Sequence, residues 1–136
     1  MKRLPNWRIP LAQQFEQGKS RTFAWGTFDC AMFACDCVFA QTAEDPAIEF
    51  RGKYANEAEA QALGSLTELA ERITAKFGMS EIAPGHAGRG DLVLIHNGTD
   101  QGALAVIDFT GAYAMCPGTR GLIRVRRHRW QRAWRV

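Results

Sequence analysis

Residues 23–40 read FAWGTFDCAMFACDCVFA, a turn of aromatic and small residues that leads into ten residues with a single aspartate among them. Asp29 is a typical helix N-cap, because its carboxylate can accept the unpaired backbone N–H groups of a first helical turn. The pattern predicts a helix from about Asp29 to Ala40. Since this helix is apolar on nearly every side, we expect it to be buried. It is too short to span a bilayer, so we expect no membrane span.

Three further helices are predicted before residue 80. Shorter ones cover Leu11–Gln17 and about Glu57–Leu63. A clearer one begins at a capping box of Ser65 and Glu68 and ends at Gly78, with apolar residues on one face.

Strand patterns replace helical ones after residue 88, with Asn-Gly and Thr-Gly turns between them. Helices followed by an antiparallel sheet make an α+β fold, in which N-terminal helices pack on a C-terminal antiparallel sheet. At 136 residues, the chain is expected to form one domain over residues 1–136. The predicted strands are Gly90–Ile95, Ala103–Phe109, Tyr113–Cys116 and Leu122–Arg126.

The C-terminal end of the chain is strongly basic. Seven of the 17 basic residues are arginines within 120–136, which contains no acid, so the rest of the chain holds ten basic and 14 acidic residues. In the last strand we expect Ile123 and Val125 to point inward. We expect Trp130 and Trp134 to fold the end back on the sheet, which makes nucleic acid a poor partner. An acidic protein neighbour or a solvated strand face fits better, and the candidate binding residues are Arg124, Arg126 and Arg129.

The chain has four cysteines, and Cys30 differs from the others by its place at the first turn of the buried helix. The helix dipole and free N–H groups there favour a thiolate, the nucleophilic form. Cys35 and Cys37 lie in the helix interior and are expected to be inert. The spacing matches no common zinc pattern, and we expect no cofactor. A zinc or iron–sulfur site using all four stays open as an alternative if Cys116 approaches the helix.

Two of these segments resemble motifs of the NlpC-like peptidoglycan cysteine peptidases. Trp25–Cys30 matches a Gly/Trp-rich turn with an Asp-Cys pair at the start of a helix, and Gly90–Ile95 matches a Gly-Asp-Leu-Val strand. The resemblance covers about half the chain. It implies a papain-like fold, a nucleophile at Cys30, a cleft beside Trp25 and Asp29, and a catalytic histidine at the start of the following strand. We expect Asp91 to pin its turn rather than act in catalysis.

The chain departs from this family at the residues that support the nucleophile. Ala103 or an equally inert neighbour stands where the histidine belongs, and Ala31 replaces the serine that usually follows the cysteine. Without a base, nucleophilic catalysis is expected to fail. His96 is the candidate substitute base, but the resemblance places the start of its strand, rather than its end, nearer Cys30. His86 and His128 are expected to be structural or exposed.

The wider layout resembles a group of phage-encoded relatives of unassigned function. The shared features are an Asp45-Pro46 loop, the run Phe50–Tyr54 and the closing Ala133–Val136. This resemblance implies a structural or assembly component of a phage tail tip or baseplate, docked to other tail proteins by the arginines. It would be made in the host cytoplasm, since the N-terminus does not read as a signal peptide, and would end in the virion tail. The alternative is an active peptidoglycan endopeptidase that uses Cys30 during phage entry.

Overall fold

The computed structural model describes all residues from 1 to 136 and has four helices and a six-stranded antiparallel sheet. The predicted α+β class, with the helices before the sheet, is confirmed. None of the helices is both long and apolar enough to cross a membrane. The helices are α1 (Arg8–Gly18), α2 (Cys30–Thr42), α3 (Glu57–Gln61) and α4 (Leu66–Lys76), and the strands are β1 (Glu81–Ile82), β2 (Leu92–Ile95), β3 (Ala103–Ile107), β4 (Tyr113–Pro117), β5 (Leu122–Arg126) and β6 (Trp130–Trp134).

Helix α2 is the central element, as its apolar sequence predicts. Most of its residues are buried, and it packs on α1 and across β3. Phe33 and Val38 lie in one cluster with Leu104 and Val106 of β3. Burial of an apolar side chain of this size stabilises the fold by roughly 1.5–3 kcal/mol. The start of α2 is thereby held against the start of β3.

The strand order in the sheet is β1-β6-β2-β3-β4-β5, so the last strand lies between β1 and β2. In β6, Trp134 pairs with Leu92 of β2 and with Glu81 of β1. The prediction that Trp130 and Trp134 fold back onto the sheet is confirmed, since both are buried. They do so as a strand within the sheet, and a register shift between Leu94 and Ile95 accommodates them.

Asp91 pins the turn before β2, as the sequence predicts. Its carboxylate accepts hydrogen bonds from the N–H of Gly88 at 3.0 Å and the N–H of Val136 at 3.0 Å. The Arg3 guanidinium forms an ion pair with the same carboxylate at 3.1 Å. Because three separate segments meet on one buried carboxylate, Asp91 ties both ends of the described chain to β2.

The prediction for β5 is half right. Val125 is buried, but Ile123 on the same face keeps 46% of its surface exposed. The physical reason is position, because β5 is the outermost strand of the sheet. Alternation along a strand predicts which face a side chain takes, while the neighbouring elements decide whether that face is covered.

Candidate active site

The turn before α2 is held by a buried carboxylate. Asp29 Oδ1 accepts the N–H of Met32 at 2.8 Å, which confirms the predicted N-cap. Its Oδ2 accepts the N–H of Gly26 at 2.8 Å and the hydroxyl of Tyr54 at 2.5 Å. The three bonds join the turn, the helix and the segment that precedes α3.

Gly26 cannot be replaced by another residue without strain. Its φ is +84°, which side-chain-bearing residues rarely adopt. A Cβ at this position would lie 2.1 Å from the carbonyl oxygen of Tyr54. The glycine of the Trp-Gly motif therefore permits the close approach that brings Tyr54 to Asp29.

Cys30 is the first residue of α2 and packs against the cluster that contains Ala103 and Ala105 of β3. Burial of the sulfur, reinforced by the Asp29 carboxylate, raises the pKa of the Cys30 thiol to about 11. The N–H groups of Leu104 and Ala31 oppose this only in part. The residue is half-buried and lines a cavity. Desolvation therefore opposes the thiolate that the helix start was expected to favour.

Ala103, the first residue of β3, lines the same cavity as Cys30. The helix start and the strand start therefore meet, with a thiol on one element and a methyl group on the other. A methyl group neither accepts nor donates a proton. At this place the chain offers no base for the thiol.

His96 follows β2, and its position corrects a prediction. Ile95 at the end of β2 pairs with Ala103 at the start of β3, so the end of β2, rather than its start, lies nearer Cys30. The reason is the short hairpin connection between the two strands. The His96 side chain is nevertheless exposed and does not line the cavity. His86 and His128 are also exposed, as expected, and no imidazole lines the cavity.

The cavity beside Cys30 has a volume of about 460 Å³ and is lined by polar and apolar residues in similar numbers. Phe23 and Trp25 form an edge-to-face pair on its wall, with ring centroids 5.1 Å apart. Trp25 is 38% exposed and lines this cavity. Glu57 and Asp100 add carboxylates to the lining, which contains no Lys or Arg. A concave surface that is half apolar and partly aromatic has the composition of a ligand-binding pocket.

Two parts of this cavity were missed from the sequence. Tyr54 was noted only as part of a shared run, and nothing local indicates that its hydroxyl reaches Asp29. The loop of residues 97–102 forms one wall, and its Asn-Gly step indicated only a turn. Both join the site through contacts between distant parts of the chain.

The other cysteines do not join Cys30 in a metal site. Cys35 lies in a cluster with Phe50 and Cys37 in a cluster with Phe33, whereas Cys116 lies with Val125 in the cluster against which Cys30 packs. No group of three or more His, Cys, Asp or Glu side chains is placed to hold a metal ion. The four-cysteine alternative is therefore wrong, because successive helix positions turn Cys35 and Cys37 in different directions. As predicted, these thiols are buried, and burial raises the pKa of each.

The three candidate binding arginines are not equivalent. Arg124 lies over the ring of Tyr113 at 4.0 Å, in a cation–π contact. Arg126 is exposed and has no ion pair, and Arg129 is half-buried without one. Other arginines of the segment are engaged, since Arg127 donates to backbone carbonyls and Arg132 pairs with glutamates on α4 and β1.

A family model described as a domain of unknown function, DUF6950, matches residues 2–136. No curated protein matches the chain. The family description carries no activity, so the site itself has to supply the functional argument.

Proposed function

The chain belongs to the DUF6950 family, and we propose that it is a structural or assembly component of a phage tail tip or baseplate, built on an NlpC-like, papain-like fold that has lost its catalytic histidine. One observation carries the proposal. Ala103 lies at the start of β3 on the wall that it shares with Cys30. In the peptidases that the chain resembles, the corresponding position holds an imidazole, whereas the side chain of Ala103 is a methyl group.

The element order supports the papain-like interpretation. A buried helix begins with Asp29 and Cys30, and a Gly-Asp-Leu-Val strand follows later in the chain. The next strand begins beside the cysteine. This is the relation that a cysteine nucleophile and its base need.

The state of the thiol supports loss of activity. A thiol with a pKa of about 11 is ionised in only about one molecule in ten thousand at pH 7. A peptidase of this type needs an imidazole both to generate the thiolate and to protonate the leaving group. Removal of such a group lowers the rate by several orders of magnitude. The residual chemistry of Cys30 would be negligible.

In this proposal the fold is retained because its surfaces bind other molecules, although its active site no longer cleaves them. The cavity of about 460 Å³ would hold a peptide-like segment, either from another tail protein or from peptidoglycan, without cleaving it. The exposed arginines of the C-terminal segment would dock other phage tail proteins. The protein would be made in the host cytoplasm and carried into the virion tail.

The test is the pH dependence of alkylation at each cysteine, followed by peptide mass spectrometry. We expect Cys30 to react slowly at pH 7 and to accelerate up to about pH 11. Cys35 and Cys37 are internal controls for buried thiols and should react only on unfolding. A Cys30 that titrates well below the reference value of about 8.5 would overturn the proposal that this site is catalytically inactive.

An active peptidase is the second candidate, and one observation favours it. The end of β2 pairs with the start of β3. His96, the residue after β2, therefore lies close to the part of the sheet that lines the cavity of Cys30. A small movement of the hairpin of residues 97–102 would be needed to turn its imidazole inward. In this case His96→Ala would raise the pKa of Cys30, whereas the exposed His128→Ala would not. Equal titration in the two variants would exclude His96 as the base.

A further inference from the structure

The outer edge of β5 has backbone groups that nothing in the chain engages. Strand β5 ends the sheet. In β4, the Tyr113 carbonyl accepts the N–H of Asp108, so the backbone groups of Tyr113 point towards β3. Backbone groups of successive strand residues point to opposite sides. Those of Ala114 therefore point towards β5.

The register of β5 then decides which of its residues face outward. Ala114 pairs with Val125, so the N–H and C=O of Val125 and of Ile123 point towards β4. Both groups of Arg124 and the N–H of Arg126 therefore point away from the sheet, whereas the C=O of Arg126 begins the 3-10 turn of Arg127–Arg129. No other segment bonds to them, and the nearest added pairing, Thr22 with Arg120, lies at the hairpin tip.

The side chains along this edge are also available. Arg124 stacks on the ring of Tyr113, so its side chain has less rotamer freedom to lose on binding. Arg126 is exposed without an ion pair. On the opposite face, Ile123 is 46% exposed. The edge strand therefore has two arginines without ion pairs on one face and an exposed apolar side chain on the other.

We propose that the β5 edge (Ile123–Arg126) binds an extended acidic segment of another protein, which adds a strand to the sheet. Main-chain bonds to Arg124 and Arg126 would hold the segment. Carboxylates opposite the two arginines and apolar residues opposite Ile123 would specify it, so the segment alternates acidic with apolar residues.

Two other uses of this edge fit less well. If a second copy added its own β5, arginines would face arginines across the new pair, which is destabilising. A strand edge that serves only to prevent aggregation carries lysine or proline and avoids exposed apolar groups. Here Ile123 is exposed and Arg124 is ordered by its contact with Tyr113, which fits an edge that binds a partner.

This inference deepens the docking role proposed above, but no residue of β5 lines the Cys30 cavity. The two parts of the proposal can therefore fail separately. If the docking proposal is wrong, the peptide-binding measurements will show it. If the proposal of an inactive site is wrong, the titration of the Cys30 thiol will show it.

The test uses fluorescence anisotropy with a labelled, acetylated peptide in which glutamate alternates with valine. A peptide of the same composition with its glutamates grouped together is the control. We expect the alternating peptide to bind about tenfold more tightly, because only it matches both faces. Arg124→Glu should weaken binding by at least about tenfold, whereas Arg89→Glu, at an exposed arginine outside β5, should leave it unchanged.

A pair of variants at Arg126 separates backbone from charge. Its φ of −72° suits proline, so Arg126→Pro removes the outward N–H without altering the strand. Arg126→Gln removes only the charge. The proline variant should bind at least about threefold more weakly than the glutamine variant. Equal affinities in the two would mean that charge alone attracts the peptide, and this would overturn strand addition.

Hydrogen exchange in the wild-type protein tests the same point without a variant. The amides of Arg124 and Arg126 should exchange more slowly with saturating peptide. Those of Ile123 and Val125, which already face β4, should be unchanged. Unaltered exchange at both arginines, equal affinity for the two peptides, or no binding at millimolar peptide would each overturn the proposal.

Discussion

The hydroxyl of Tyr54 donates a hydrogen bond of 2.5 Å to Oδ2 of Asp29, the residue that caps the helix carrying Cys30. Tyr54 is buried and lies near the end of the irregular segment between α2 and α3. The bond therefore fixes this segment to the start of α2. The wall of the cavity and the helix that presents the thiol are positioned together.

Replacement of Tyr54 by phenylalanine should lower the free energy of unfolding by about 1.5–3 kcal/mol, because a buried bond to a carboxylate is lost. Urea unfolding measures the change. Tyr113→Phe is the matched control, since the Tyr113 hydroxyl makes no hydrogen bond, and it should change stability by less than about 0.5 kcal/mol. Equal effects in the two variants would show that the Tyr54–Asp29 bond is not stabilising.

Gly26→Ala should be far more damaging than Gly98→Ala. Both glycines have a similar φ, +84° and +87°, so both variants incur the left-handed strain of roughly 1–2 kcal/mol. Only at Gly26 would the new Cβ overlap a backbone atom, the Tyr54 carbonyl oxygen, whereas Gly98 has open space. We expect a loss of at least about 3 kcal/mol at Gly26 in urea unfolding. Equal losses would mean that Tyr54 moves aside freely.

Ala103→His should return an imidazole to the wall beside Cys30. The cavity offers space for the ring, and an imidazolium would favour the thiolate. We expect the pKa of Cys30, followed by alkylation rate, to fall by at least about two pH units. Ala112→His, at an exposed turn, should leave it near 11. An unchanged pKa in Ala103→His would contradict the placement of Ala103 beside the thiol.

The buried thiols make the fold sensitive to alkali. Burial raises the pKa of Cys35 and of Cys37 above that of an unfolded thiol, about 8.5. Above pH 8.5 the unfolded chain has lost protons that the folded chain keeps, so stability falls as pH rises. Each thiol contributes about 1.4 kcal/mol for each pH unit until its folded pKa is reached.

Urea unfolding between pH 8.5 and 10 measures this slope. Cys35→Ala will lower stability at every pH by opening a cavity, so the slope and not the absolute value is the readout. It should be shallower than in the wild type by about 0.7 kcal/mol per pH unit at pH 8.5 and by about 1.4 kcal/mol per pH unit near pH 10. An identical slope would show that Cys35 ionises freely in the folded chain.

Local patterns predicted what depends on neighbours in the sequence. The cap at Asp29 and the burial of α2 followed from a polar residue before an apolar run. The capping residue Ser65 accepts the N–H of Glu68 as its spacing predicts. The turn at Asp91 was also anticipated. The bonds that were anticipated are the local ones, such as those from Met32 N–H to Asp29 and from Gly88 N–H to Asp91.

Long-range pairing and solvation could not be predicted in the same way. Nothing in the run Trp130–Trp134 indicates that it enters the sheet between β1 and β2. The two-residue strand β1 is too short to leave a pattern. The effect of burial on the pKa of Cys30 could not be predicted, because the helix start is visible in the sequence, whereas the surroundings of the sulfur are not.

The position of β6 has a consequence for how the protein is made. Strands β2 to β5 follow one another as neighbours and can pair while the chain is still being synthesised, but the free edge of β2 must wait for residues 130–134. Until the ribosome has released that stretch, β2 exposes unpaired backbone and apolar side chains to other nascent chains. A stop codon or proteolytic cut shortly before Trp130 would therefore leave an open sheet, prone to aggregate, rather than a trimmed domain.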